Sequence, residues 1–266
     1  MRPHVARKRF GQNFLVSPGI VAKIVDAIHP QPDDNLVEIG PGLAALTSPL
    51  LERLHHLHVV EIDRDLVAQL RERFPREKLT IHEGDALEFD FATLGEALRV
   101  VGNLPYNIST PLLFHIAEVA GRVRDLHFML QREVVERMVS PAGGAEYGRL
   151  SVMLQYRFDM ERLFIVPPGA FHPAPKVESA MVRMVPRPVA ALQARDEKVL
   201  ARIVTAAFSQ RRKMLRNTLR DVIGEGELAG LGIAPTQRAE EIAVGDYVRI
   251  ANRCAELEAI SLSRRC

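Results

Sequence analysis

Leu36-Val37-Glu38-Ile39-Gly40-Pro41-Gly42-Leu43-Ala44-Ala45 decides how the rest of the chain is read. A short apolar run ends at two glycines, and a helical pattern begins directly after them. Glycines at 40 and 42 let the backbone turn sharply and approach a ligand closely, the arrangement of a strand-to-helix turn. Working outward, residues 57–62, 79–82, 100–102 and 126–130 read as further buried strands, with helical stretches near 44–54, 64–73, 110–120 and 132–139 between them. Strands alternating with helices imply parallel pairing through right-handed crossovers, hence a layered α/β sheet. The runs 152–166 and 180–185 show no helix between them and are expected to add an antiparallel pair at one edge. Ser17-Pro18 and Thr110-Pro111 read as helix starts, and Asp63 as a cap for a third helix.

The stretch 186–196 carries two prolines and marks a linker. Beyond it the pattern is helical, broken at 224–235. The expected organisation is a main domain over 1–188 and a small all-helical domain over 189–266.

Charge is distributed unevenly along this chain. Residues 1–23 carry Arg2, Arg7, Lys8, Arg9 and Lys23 and no acid, and residues 183–220 hold ten basic side chains against Asp196 and Glu197. The intervening body, 24–182, is net −8. Two basic segments flanking an acidic body suit a polyanionic partner held by the flanks. No apolar run reaches the roughly 20 residues of a membrane helix, and the N-terminus lacks the apolar segment of a secretory signal. The two cysteines, Cys254 and Cys266, have no metal-ligand spacing. No metal site, no membrane and a reducing, cytoplasmic setting are therefore expected.

The strand ends carry the chemistry. Glu61 follows Gly42 by 19 positions, close to the roughly 20 expected of a carboxylate that accepts both hydroxyl protons of a ribose. A dinucleotide or the adenosyl half of S-adenosyl-L-methionine would each use it. Asp85, at the end of the next strand, would lie along the same cofactor edge and reach an adenine amino group; a turn cap is the competing role. Asn103-Leu104-Pro105-Tyr106 ends the fourth strand, where open α/β sheets bind ligands. The Asn103 carbonyl and a backbone carbonyl of Leu104 or Pro105 can together accept both protons of an exocyclic amine. Pro105 restricts its own φ and keeps Leu104 extended. Tyr106 offers a face for a base to stack on. His55, His56 and His58 cluster at a helix–strand junction and are expected to be exposed rather than catalytic.

These segments carry a family resemblance. GQNFL at 11–15, EIGPG at 38–42, EID at 61–63, GDAL at 84–87, NLPYNIST at 103–110, FHPAPKVES at 171–179 and FSQRRKMLRNTL at 208–219 span nearly the whole chain. The sequence resembles the ribosomal RNA adenine N6-dimethyltransferases, most closely their bacterial small-subunit branch. The resemblance implies a Rossmann-like methyltransferase sheet with a helical C-terminal domain, S-adenosyl-L-methionine as cofactor, and 16S rRNA in the small ribosomal subunit or its precursor as partner. It implies that Gln12, Asn13 and Leu15 cover the cofactor, that Gly40 and Gly42 lie under it, that Glu61 holds its ribose and Asp85 its adenine. Asn103 would contact cofactor and target, and Tyr106 with Phe171 would sandwich the target adenine. Arg211, Arg212, Lys213 and Arg216 would contact the RNA backbone, and the protein would be a monomer. One position departs from the family pattern: Ala44 stands where glycine is usual. A negative φ, as at a helix start, accommodates alanine, so little cost is expected there; a positive φ would bring local strain.

Two neighbouring readings share the scaffold. A large-subunit enzyme conferring macrolide resistance would read NIPY rather than NLPY and would lack the RRKMLRNTL segment. A non-catalytic ribosome-assembly factor would not require an intact Asn103–Tyr106 stretch. A nicotinamide dehydrogenase would use the glycine turn but leave NLPY and GQNFL unexplained.

Overall fold

In the computed structural model, residues 11–263 are described. The basic residues Arg2, Arg7, Lys8 and Arg9 lie outside them. The chain divides into two compact units: one up to Val135 together with Asp159–Pro186, the other Glu136–Phe158 together with the chain from Arg187 onward. The segment 136–158, expected in the main domain, thus packs with the second unit.

The chain opens with β1 (Phe14–Leu15) and α1 (Pro18–Ile28), then alternates β2 (Leu36–Ile39), α2 (Thr47–Leu51), β3 (Leu57–Glu61), α3 (Arg64–Arg73), β4 (Leu79–Glu83), β5 (Leu98–Asn103), α4 (Ser109–Glu118), β6 (Val123–Gln131) and α5 (Arg132–Val139). After α6 (Arg149–Arg157) come β7 (Phe158–Val166), β8 (Phe171–His172) and β9 (Ser179–Pro186). Among the described residues the main sheet has the order β4-β3-β2-β5-β6-β9-β7. β2, β3, β4, β5 and β6 pair in parallel, and β9 runs antiparallel to β6. The chain lays β3 and β4 to one side of β2, then returns to place β5 on its other side. That reversal opens a crevice beyond the carboxyl ends of β2 and β5, where doubly wound sheets take their ligands. The two strands approach closely: a Cβ on Gly102 would lie 2.7 Å from the Ile39 carbonyl oxygen, so glycine is required there.

Local signals behaved unequally. Asp63 caps α3, its carboxylate accepting from the Asp65 N–H. Ser17 holds the N-cap position of α1 without a side-chain cap bond. The start expected at Thr110 falls instead at Ser109, with Ile108 as N-cap. The helix expected over 44–54 shrinks to α2, because residues 40, 42 and 44 all take left-handed φ values. The first half of the supposed strand 152–166 is α6. Val152 and Tyr156, one helical turn apart, bury into the core of the second unit with Leu200 and Ile203.

The second unit continues with α7 (Glu197–Ala207), α8 (Leu215–Thr218), α9 (Glu225–Gly230) and α10 (Val244–Ser263). Asp196 caps α7 by accepting from the N–H groups of Lys198 and Val199. α9 lies inside the stretch expected to be a break, and the basic run 209–213 is a turn rather than a helix face.

Candidate active site

The crevice holds a cavity of about 320 Å³, within the size range of small-molecule sites. The turns after β2, β3, β4 and β5 build it, and the segment 11–15 closes one side. After β2 the backbone alternates: φ is +66° at Gly40, +57° at Gly42 and +66° at Ala44. Nothing lies within 4 Å of where a Gly40 Cβ would project, whereas at Gly42 the Phe14 ring would be 3.1 Å away. Gly42 is therefore required both for its φ and for Phe14. Ala44 is a correction: its φ is positive, so the strained alternative holds, and its methyl is buried.

Three carboxylates face this space. Glu61, 5% exposed, accepts from the N–H of Asp63 at 2.9 Å and of Gly42 at 3.2 Å. Burial raises its pKa, opposed by those hydrogen bonds and reinforced by neighbouring Asp63. Asp85 accepts from the Leu87 N–H at 2.9 Å while lining the cavity, so the turn-cap role and the site role coincide. Glu38, which the sequence reading did not assign, also lines the cavity; it is fully buried and accepts from the Thr47 hydroxyl at 2.7 Å. Burial, with Glu61 nearby, pushes it up to about 8.

The segment 11–15 is fastened from several directions. Gln12 Nε2 donates to Asp63 at 3.1 Å, Phe14 and Leu15 pair antiparallel with β8, and Asn103 Nδ2 donates to the Asn13 carbonyl at 2.9 Å. The last bond fixes the amide of Asn103. With nitrogen turned toward Asn13, Oδ1 is the side-chain acceptor presented on the other side. Of the two backbone acceptors considered, Pro105 O already accepts from the Ile108 N–H at 3.2 Å, leaving the Leu104 carbonyl beside Asn103. Leu104 itself is buried and its N–H donates to Met129 O at 3.1 Å, which anchors the loop to β6.

Tyr106 lines the cavity. Phe171, expected opposite it, is 4% exposed, pairs with Leu15 and belongs to a hydrophobic core cluster with Ile24, Val25 and Met181; it is absent from the cavity wall. The sequence reading missed Leu43 and Ile62, large apolar residues that are 41% and 42% exposed and stand on that wall. Their only sequence signal is position, each directly following a strand-end glycine or acid. Arg211, Arg212, Lys213 and Arg216 belong to the second unit and are exposed, with Arg211 donating to the Ala145 carbonyl. The histidines split. His55 is exposed, but His56 and His58 are half-buried; His58 Nδ1 lies 3.2 Å from His82 Nε2, and burial with its histidine neighbours pulls His58 down to about 4. None of the three lines the cavity.

The sequence model of the family described as ribosomal RNA adenine dimethylase matches residues 3–256. The chain belongs to this family. Relatives of this adenine dimethylase include the ribosomal RNA small subunit methyltransferase A of Aromatoleum aromaticum, 67% identical over 255 residues covering 96% of each chain. The protein of the same name from Thiobacillus denitrificans is 62% identical over 247 residues, 93% of this chain and 97% of that one. Among solved structures, a dimethyladenosine transferase from Plasmodium falciparum shares the fold at a TM-score of 0.78 and 23% identity, over 89% of this chain and 95% of that one. The 23S rRNA methyltransferase ErmE superposes at a TM-score of 0.68 and 26% identity, over 91% of this chain and all of that one. This adenine dimethylase is thus an S-adenosylmethionine-dependent enzyme acting on ribosomal RNA. The cavity wall carries the carboxyl groups of Glu38, Glu61 and Asp85, and the raised pKa of Glu38 keeps that one protonated at neutral pH.

Proposed function

We propose that the chain dimethylates N6 of two adjacent adenosines in a hairpin loop near the 3′ end of 16S rRNA, within the small ribosomal subunit or its precursor. It does so as a cytoplasmic monomer and contributes to ribosome biogenesis. One observation supports the chemistry: Asn103, on the cavity wall, donates its Nδ2 to the Asn13 carbonyl, which leaves Oδ1 as the side-chain acceptor to act with the Leu104 carbonyl on an amine. The small-subunit substrate is supported by relatives 57–67% identical that carry that name and by the segment 208–219.

S-adenosylmethionine supplies a methyl group already activated on a sulfonium. The protein's task is orientation. The adenine N6 lone pair is delocalised into the ring; Asn103 Oδ1 and Leu104 O hold the amine protons and stabilise the nitrogen as it becomes tetrahedral and cationic. No strong base is required, since a methylated aminopurine cation loses its proton readily to water. Tyr106 stacks on the extruded adenine, as single-stranded loop bases allow. Glu61 accepts from the ribose hydroxyls and Asp85 from the adenine amino group of the donor; Gln12, Asn13 and Leu15 cover it, and Gly40 and Gly42 let the backbone pass beneath. Arg211, Arg212, Lys213 and Arg216 contact RNA phosphates, which supply affinity without sequence choice.

Radiolabelled S-adenosylmethionine incubated with small and with large ribosomal subunits lacking the modification tests this. The expected product is N6,N6-dimethyladenosine from small subunits only, lost in Asn103→Ala. Label from large subunits alone would overturn the substrate, and undiminished label with Asn103→Ala would overturn the role of the amide.

A further inference from the structure

Tyr106 is held by more than its loop. Its hydroxyl lies 2.8 Å from Oγ of Ser179, the first residue of β9, which has no solvent exposure. The backbone carrying Ser179 is fixed on both sides. Ser179 sits opposite Gln131 in the β6–β9 ladder, the Arg132 N–H donates to Glu178 O at 2.9 Å, and the side chains of Arg132 and Glu178 pair at 2.7 Å. Tyr106 has no comparable support of its own. It lies between β5 and α4 in a turn closed by Ile108 N–H to Pro105 O, with the Ser109 hydroxyl donating to the Tyr106 carbonyl at 3.1 Å.

We propose that Ser179 is a positioning residue for methyl transfer, fixing the position and long axis of the Tyr106 ring against which the target adenine stacks. This rests on the reading that Tyr106 is the stacking face. A tyrosine ring fixed only at Cβ swings with its first side-chain torsion; a hydrogen bond at the distal hydroxyl, which lies on the ring's own long axis, stops that swing and ties the far end of the ring to the sheet. The sheet also carries Asn103 on β5, separated from β9 only by β6. One rigid element thus holds both the acceptor of the amine protons and the anchor of the ring. Such a constellation works only within about 0.5 Å and 10–20° of its productive geometry, and a displacement near 1 Å costs on the order of 100-fold in rate. Ser179 acts through Tyr106 and touches neither substrate.

The test is a double-mutant cycle on small subunits lacking the modification, using Ser179→Ala, Tyr106→Phe and the two combined, with Tyr106→Ala alongside. Removing either hydroxyl is expected to lower kcat by about tenfold or more. The combined variant should be no slower than the slower single one, because both remove the same bond. Affinity for S-adenosylmethionine should be unchanged in every variant. Full kcat in Ser179→Ala, losses that multiply in the combined variant, or a kcat loss matched by weakened cosubstrate affinity and a lowered Tm would overturn the proposal. Tyr106→Ala separates the two readings. If it stays active, stacking on Tyr106 fails; if it is inactive while Ser179→Ala is not, only the role of Ser179 fails.

Discussion

Ala44 occupies a left-handed backbone position, φ +66°, two residues beyond Gly42, and its methyl is buried. Three terms of similar size meet there. Left-handed backbone costs an L-residue roughly 1–2 kcal/mol, while glycine in its place would lose about 0.5–1 kcal/mol to unfolded-chain entropy and about 0.8 kcal/mol of methyl burial. Ala44→Gly is therefore expected to change unfolding free energy by less than about 1 kcal/mol, whereas the β-branched Ala44→Val should cost more than about 2 kcal/mol in urea denaturation. Glu38 gives a pH signature. Its folded pKa, about 8, lies above the ordinary 4.5, so the folded state binds the extra proton between those values. The stabilisation is complete below pH 4.5 and is lost as pH rises through 8. Glu38→Gln should flatten the fall of Tm across that window; an unchanged slope would show that another group causes it. The sequence placed glycines, Glu61 and Asp85 by position, but the sign of φ at 44 and the burial of Glu38 depend on what packs around the turn.

At the scale of elements, Arg99 on β5 is the joint between strand and helix. Its guanidinium, 4% exposed, pairs with Asp125 on β6 at 2.9 and 3.0 Å and with Asp34 at 2.5 Å, and donates to Ile28 O at the C-terminus of α1 at 2.6 Å. Removing it strands the buried Asp125 carboxylate and the Ile28 carbonyl, while Asp34 keeps Arg124 at 2.9 Å and the Gln31 N–H at 2.8 Å. Arg99→Met should destabilise by about 3–5 kcal/mol in urea denaturation, and adding Asp125→Asn should recover part of that in the same assay. Nothing in the local sequence marks this joint, since its partners lie up to 71 residues away. α6 was illegible for a related reason. Val152, Leu154 and Tyr156 alternate as a strand would, and only burial of Val152 and Tyr156 against α7 fixes the helical reading.

Across the whole molecule, the acidic cavity belongs to the first unit and the basic run 211–216 to the second. No helix among the described residues is long and apolar enough to cross a membrane. Every basic side chain withdrawn from an RNA phosphate lowers the salt dependence of binding by about 0.7–0.9 in log–log slope. Replacing Arg211 and Arg212 together by alanine is expected to lower the slope for rRNA binding by about 1.5, leaving S-adenosylmethionine affinity intact. An unchanged slope in filter binding across a salt titration would remove these residues from the RNA interface. The charge asymmetry was readable in the sequence; the assignment of 136–158 to the second unit was not, because it follows from packing against helices later in the chain.

The sequence by itself determined the alternation of strands and helices between residues 36 and 139, the glycine turn, and the placing of Glu61, Asp85 and Asn103 at or just beyond strand ends. These follow from hydrophobic periodicity and turn chemistry, which act over a few neighbours. Only the tertiary structure decided that Asn103 presents Oδ1, that Pro105 O is already engaged, that Phe171 is core, and that Tyr106 is tied to Ser179. The Pro105 bond is made within its own turn, to Ile108, and depends on how that turn folds; the others depend on groups distant in sequence, 90 residues for Asn103 and Asn13 and 73 for Tyr106 and Ser179, brought together by the fold.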